Sequence, residues 1–146
     1  MGRLYTNSIM NAVNMIVSSW APGVNSSWIV EVNGEYNTDP NKMPWIGIYS
    51  PDQSFSPFRA QGISPFLGEV KIGIITQYSD FASHVAAIEN LSYLSDEVYT
   101  AVSCYRTLMG TVNIVKGIEI IPYDRVIDDP NNIVADKLTI IAEIFA

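Results

Sequence analysis

The chain has one cysteine, one histidine and little charge of either sign among its 146 residues. A lone thiol, Cys104, closes no internal disulfide and builds no thiolate cage for a metal. Its place on an apolar helical pattern makes it an expected small buried hydrophobe. The lone imidazole, His84, follows Asp80 by one helical turn and reads as a helix-surface or cap-associated side chain. Nucleophilic catalysis needs a nucleophile, a base within its reach and an orienting group, and one histidine with one cysteine leaves few ways to assemble them. Long apolar runs are missing too. The stretch from Ile9 to Val17 is broken by Asn11 and Asn14, and that from Ile140 to Ala146 by Glu143, so neither approaches the roughly 18 residues of a membrane span. The N-terminus shows no signal-peptide pattern. A soluble, intracellular, non-membrane protein is the expectation.

Basic residues are scarce, 8 Lys and Arg against 15 Asp and Glu, for a net charge of −7 and no Lys/Arg cluster. That balance lacks the electrostatic footprint of phosphate-backbone binding, so no specific nucleic-acid binding is expected. Neither G-x-x-x-x-G-K-[ST] nor G-x-G-x-x-G occurs, which removes the P-loop and the dinucleotide fingerprint. Asp124, Asp128, Asp129 and Asp136 are the one carboxylate cluster, but EF-hand spacing and its closing glutamate are absent, so a solvated acidic turn is expected. The myristoylation-like start Met1 to Thr6 and the sequons at Asn25 and Asn90 read as chance matches. No enzymatic activity, cofactor or metal is expected.

What the sequence does have is a core. Apolar residues make up 48% of the chain, an ordinary share, while charged residues make up 16% where about 25% is usual. A single domain spanning 1–146 can bury such a core without staples. Its surface must then be neutral polar or reserved for neighbours.

Leu4, Ile9, Val13, Ile16, Val17 and Trp20 recur at helical spacing and predict an N-terminal amphipathic helix, stopped by Ala21-Pro22-Gly23. Ser27 to Val32 predicts a short strand and Asn33 to Met43 a surface loop. Trp45 to Tyr49, apolar at every position but Gly47 and bounded by Pro44 and Pro51, predicts a strand covered on both faces. Ser50 to Gly68 reads as a long loop carrying Phe55, Phe58 and Phe66 among three prolines, with Arg59 as its one base. Leaving each Phe in water costs about 1.5–3 kcal/mol relative to burial, so the loop either folds back over its own core or reaches a neighbour. In the second case it is an assembly arm, with the three Phe as anchors and Arg59 as a polar contact.

Glu69 to Tyr78 alternates as a strand, and Ser79-Asp80 is expected to cap the helix that follows. Phe81, Val85 and Ile88 form one stripe; Leu94, Val98, Ala101, Val102, Tyr105, Leu108 and Met109 form a second, opened by Ser95 and closed by Gly110. One kinked helix or a helix pair fits. Thr111 to Tyr123 returns to β residues, with Gly117 marking a bulge or a tight turn, and Lys137 to Phe145 predicts a closing strand with Leu138, Ile140, Ala142 and Ile144 inward. The fold class is α+β, a mainly antiparallel sheet with helices packed on one face.

The N-terminal helix, the strand Met43 to Tyr49, the long loop, the strand Val70 to Tyr78 running into a helical region at Asp80, and the strand pair ending in Leu138 to Ile144 together resemble the tail terminator family of long-tailed bacteriophages, also called tail-completion or minor-tail-protein-U-like proteins. The resemblance implies a structural subunit that forms a homo-oligomeric ring, typically a hexamer, on the end of the tail tube. Such a ring stops tube polymerisation and offers a surface for head-tail joining. Its implied partners are the tail tube protein and the head-side connector protein, and its implied place is the head-tail junction of the virion after assembly in the host cytoplasm. No functional residue follows by motif. The alternatives are another neck component, a head-closure or connector protein, and a small-molecule-binding α+β module.

Overall fold

In the computed structural model of the chain, the residues described are 2–19, 29–32, 44–50, 56–58, 67–80, 83–112, 114–123 and 133–145. The elements among them are α1 (Gly2–Ser19), β1 (Ile29–Glu31), β2 (Trp45–Tyr49), β3 (Ser56–Phe58), β4 (Leu67–Ser79), α2 (His84–Ser103), β5 (Ile114–Tyr123) and β6 (Ile133–Phe145). The class is α+β, as the pattern of elements predicts.

The sheet runs β1-β2-β4-β6-β5, and β3 pairs the N-terminal end of β4. Only β1 and β2 are parallel; the other ladders are antiparallel. Its spine is the long β4–β6 ladder, with Leu67 opposite Phe145 and Ser79 opposite Ile133. Because side chains alternate, Ile72, Ile74, Leu138 and Ile140 all meet the helices on one face and are fully buried there. α1 delivers Ile9, Val13, Ile16 and Val17 to that core, and α2 delivers Ala87, Leu91, Leu94, Val98, Ala101 and Val102. β2 is buried on both faces as expected: Ile46 and Ile48 join the helix-side core, whereas Trp45 packs with Ile75 and Ala135 in a smaller cluster on the opposite face.

The structure decides between some of the expected alternatives and corrects other expectations. The helical region is one helix, because Ala87, Leu91, Leu94, Val98 and Ala101 form a continuous inward stripe; Ser95 stands inside it and opens nothing. Of the competing stripe, Val85 and Ile88 are exposed, and Phe81 lies outside the described residues. Ser83, not Ser79 or Asp80, is the N-cap: its hydroxyl accepts from the Ala86 N–H at 3.2 Å, and Asp80 Oδ1 accepts from the Ser83 N–H at 3.3 Å. α2 ends at Ser103, six residues before Met109, so Cys104 falls on the C-cap and is exposed instead of buried. The Ser50 to Gly68 segment is not wholly a loop, since Ser56–Phe58 pairs with Leu67–Glu69. Gly117 marks a bulge and not a turn, because β5 continues past a register shift between Val115 and Gly117. The Asn33 to Met43 loop and the acidic turn through Asp124, Asp128 and Asp129 lie outside the described residues.

Candidate assembly surfaces

An apolar groove of about 380 Å³ lies between the C-terminal end of α1 and the turn that follows α2, lined by Met15, Ile16, Ser18, Ser19, Tyr105 and Met109. On the α1 side, helical spacing that buries Ile16 and Val17 turns Met15 outward, 59% exposed. Ser19 Oγ donates back to the Met15 carbonyl at 2.6 Å, four residues earlier in the same helix, and so stays tied to the helix backbone.

The opposite wall is built by unusual backbone. After Cys104 the chain turns left-handed at three successive residues, Leu108 (φ 45°), Met109 (φ 59°) and Gly110 (φ 83°). Each non-glycine residue there costs about 1–2 kcal/mol. What holds them is visible. Leu108 is fully buried in the helix-side core, the Thr111 hydroxyl donates to the Leu108 carbonyl at 2.7 Å, and the Val115 N–H donates to the Arg106 carbonyl at 2.7 Å. With Leu108 driven inward, Met109 is thrust out at 52% exposure. Met109→Asn should therefore raise stability by about 0.5–1 kcal/mol, since Asn tolerates this region, and Met109→Val should lower it. A shift of the urea midpoint in opposite directions for the two variants checks this.

Two further surfaces expose large apolar side chains. The outward side of α2 carries Val85, Ile88, Tyr93 and Tyr99, and β5 carries Ile114, Ile120 and Ile121. Scattered single residues of this kind are ordinary, but three groupings on one small chain are not. The helix-side core also holds one polar chain: Thr76 Oγ1 lies 2.8 Å from Ser95 Oγ, which donates to Asp136 Oδ2 at 2.8 Å.

Of the residues proposed as interface anchors, Phe55, Arg59 and Phe66 lie outside the described residues. Phe58 belongs to β3, its backbone opposite Leu67. His84 opens α2, and its side chain is not among those described. The groove escaped sequence reasoning because its walls are some 90 residues apart in the chain and its second wall sits on a turn that apolar spacing disguises as helix. Among the described residues, no three His, Cys, Asp or Glu side chains converge as metal ligands would, and no helix is long and apolar enough to cross a membrane.

A scan against protein-family models and a search of curated proteins find no match for this chain.

Proposed function

We propose that the chain is a structural assembly subunit, a phage tail terminator that rings the end of the tail tube, halts its polymerisation and offers a surface for head-tail joining. The observation that carries this reading is the placing of exposed apolar side chains on three separate surfaces: the Met15–Tyr105–Met109 groove, the outward side of α2, and the face of β5 away from the helices, which carries Ile114 and Ile121. A ring of identical subunits joined head to tail requires two different patches on each copy, and capping a tube requires a third. A surface committed to neighbours also accounts for the low charge of 16%. The family resemblance rests on the order of helix, Pro-led strand, long loop, strand, helical region and C-terminal strand pair; α1, β2, β4, α2 and β5–β6 follow that order, with β3 inside the segment expected as a loop. Phe55, Phe58, Arg59 and Phe66 are proposed contacts of the arm that contains β3.

The test adds the purified chain to polymerising tail-tube protein and measures tube length by electron microscopy. Tubes should stop growing and carry a ring at one end. A Met15→Glu, Met109→Glu double variant, which alters only exposed side chains, should lose most of that capping. Continued elongation in the presence of excess wild-type chain would refute the reading.

A further inference from the structure

The few charges of this chain are sorted by layer. α2 carries three acids, Glu89, Asp96 and Glu97, and neither lysine nor arginine along its 20 residues. Three of the chain's four lysines stand instead on the sheet face away from the helices. Lys71 and Lys137 alternate with Ile72 and Leu138, which join the helix-side core. Lys116, in the β5 bulge, reaches Glu143 at 3.3 Å on the far side of its neighbour Ala142, another member of that core. Among the side chains described on this face, the lysines outnumber the acids, Glu119 and Glu143, by one.

Both surfaces are open and part apolar. On the sheet face Lys71 is exposed, as are Ile114 and Ile121, with Ile141 half-buried between Lys71 and the β5 bulge. On α2, the burial of Leu91, Leu94 and Val98 turns Glu89 and Asp96 outward, beside exposed Tyr93 and Tyr99.

The charges also match in spacing. Lys71 on β4 stands opposite Ile141 on β6, which stands opposite Gly117 on β5. Lys71 and Lys116 are therefore about two strand spacings apart, or roughly 10 Å. Glu89 and Asp96, seven residues apart on one side of a helix that rises 1.5 Å per residue, are separated by about 10.5 Å. A helix laid across β4, β6 and β5 sets one acid over each lysine and brings Tyr93, midway between the acids, to Ile141. Lys116 keeps Glu143 in that arrangement, since an ion pair this exposed holds its lysine only weakly.

We propose that the outward side of α2 in one copy docks on the Lys71–Ile141–Lys116 patch of the next. The inference rests on the ring reading and names its head-to-tail contact, which leaves the Met15–Tyr105–Met109 groove as the third patch. Because the two patches lie on opposite layers of one copy, a pair cannot satisfy both, and the contact passes on to a third copy.

The experiment is sedimentation equilibrium of the full chain with two charge-reversed variants, Lys71→Glu with Lys116→Glu and Glu89→Lys with Asp96→Lys, folding being checked by circular dichroism. The wild-type chain should be larger than a dimer. Each variant alone sets like charges against each other and should associate more than about tenfold more weakly. Lys71→Glu alone, which leaves the Lys116–Glu143 pair in place, should have a smaller effect in the same direction. An equimolar mixture of the two double variants should regain the wild-type mass, because copies that alternate around an even-numbered ring again oppose acids to lysines at every contact. A monomeric wild-type chain, an oligomer indifferent to both variants, or a mixture that stays dissociated overturns the proposal. An indifferent ring that still caps tail tubes would leave the ring reading standing, whereas charge-sensitive assembly with no effect on tube growth would keep this contact and refute the tail reading.

Discussion

Replacing Trp45 by alanine is expected to cost about 3–5 kcal/mol of stability, read as a lower urea midpoint of the far-UV circular dichroism transition. Trp45 is the bulkiest of the fully buried side chains, yet it lies on the face of the sheet away from α1 and α2. Its neighbours there are set by register: Ile29 on β1, Gln77 on β4 and, one strand further, Ala135 on β6. Gln77 and Ala135 are themselves buried, so removing the indole opens a cavity in the middle of a packed layer that small neighbours cannot fill. The indole N–H tells against a simple optimum, because it is buried without a hydrogen-bond partner. An unpaired buried donor costs about 1–3 kcal/mol, so Trp45→Phe, which keeps a ring and deletes the donor, should cost less than half of what alanine does. An alanine variant that loses under about 1 kcal/mol would show that this face is not a second core.

That second face marks the boundary between what was legible in the sequence and what was not. Alternation in β4 and β6 and the 3.6-residue spacing of α1 reveal the helix-side core almost residue by residue, since a buried stripe leaves a period that local reading detects. The apolar run Trp45–Tyr49 likewise announces a strand covered on both faces. Failure came where a local signal competed with a tertiary one. Ser95-Asp96-Glu97 looks like a helix start, but Ser95 is polar because it meets Thr76 and Asp136, partners 19 and 41 residues away. Tyr105, Leu108 and Met109 keep helical spacing, yet the backbone there is left-handed and sends Leu108 in and Met109 out. Cys104 departs from its expected burial for the same reason: the apolar spacing continues past the point where the helix stops. The candidate surfaces are made by such departures, which is why periodicity finds the core and misses the groove.

Ser95→Ala should cost about 2–4 kcal/mol, more than an alanine at an ordinary helix position, because it disconnects a buried chain of hydrogen bonds at its centre. Thr76 and Asp136 are cross-strand partners in the β4–β6 ladder, and α2 lays Ser95 over both. The serine hydroxyl has one proton and gives it to the Asp136 carboxylate, so the Thr76 hydroxyl must be the donor to Ser95. Alanine therefore takes a donor from a carboxylate and strands a hydroxyl that is fully buried, two separate losses. The order of the chain makes a sharper prediction than the size of the loss. In a double-mutant cycle, Thr76→Val added to Ser95→Ala should cost less than Thr76→Val alone, because the stranded hydroxyl is then gone. Additive costs in urea unfolding would mean that the two hydroxyls are not coupled. The network also pins α2 to the β4–β6 ladder at one register, which apolar packing alone, tolerant of sliding, does not do. Amide hydrogen exchange along α2 should accelerate in Ser95→Ala beyond what its stability loss predicts, and an unchanged pattern would reduce Ser95 to a local contact.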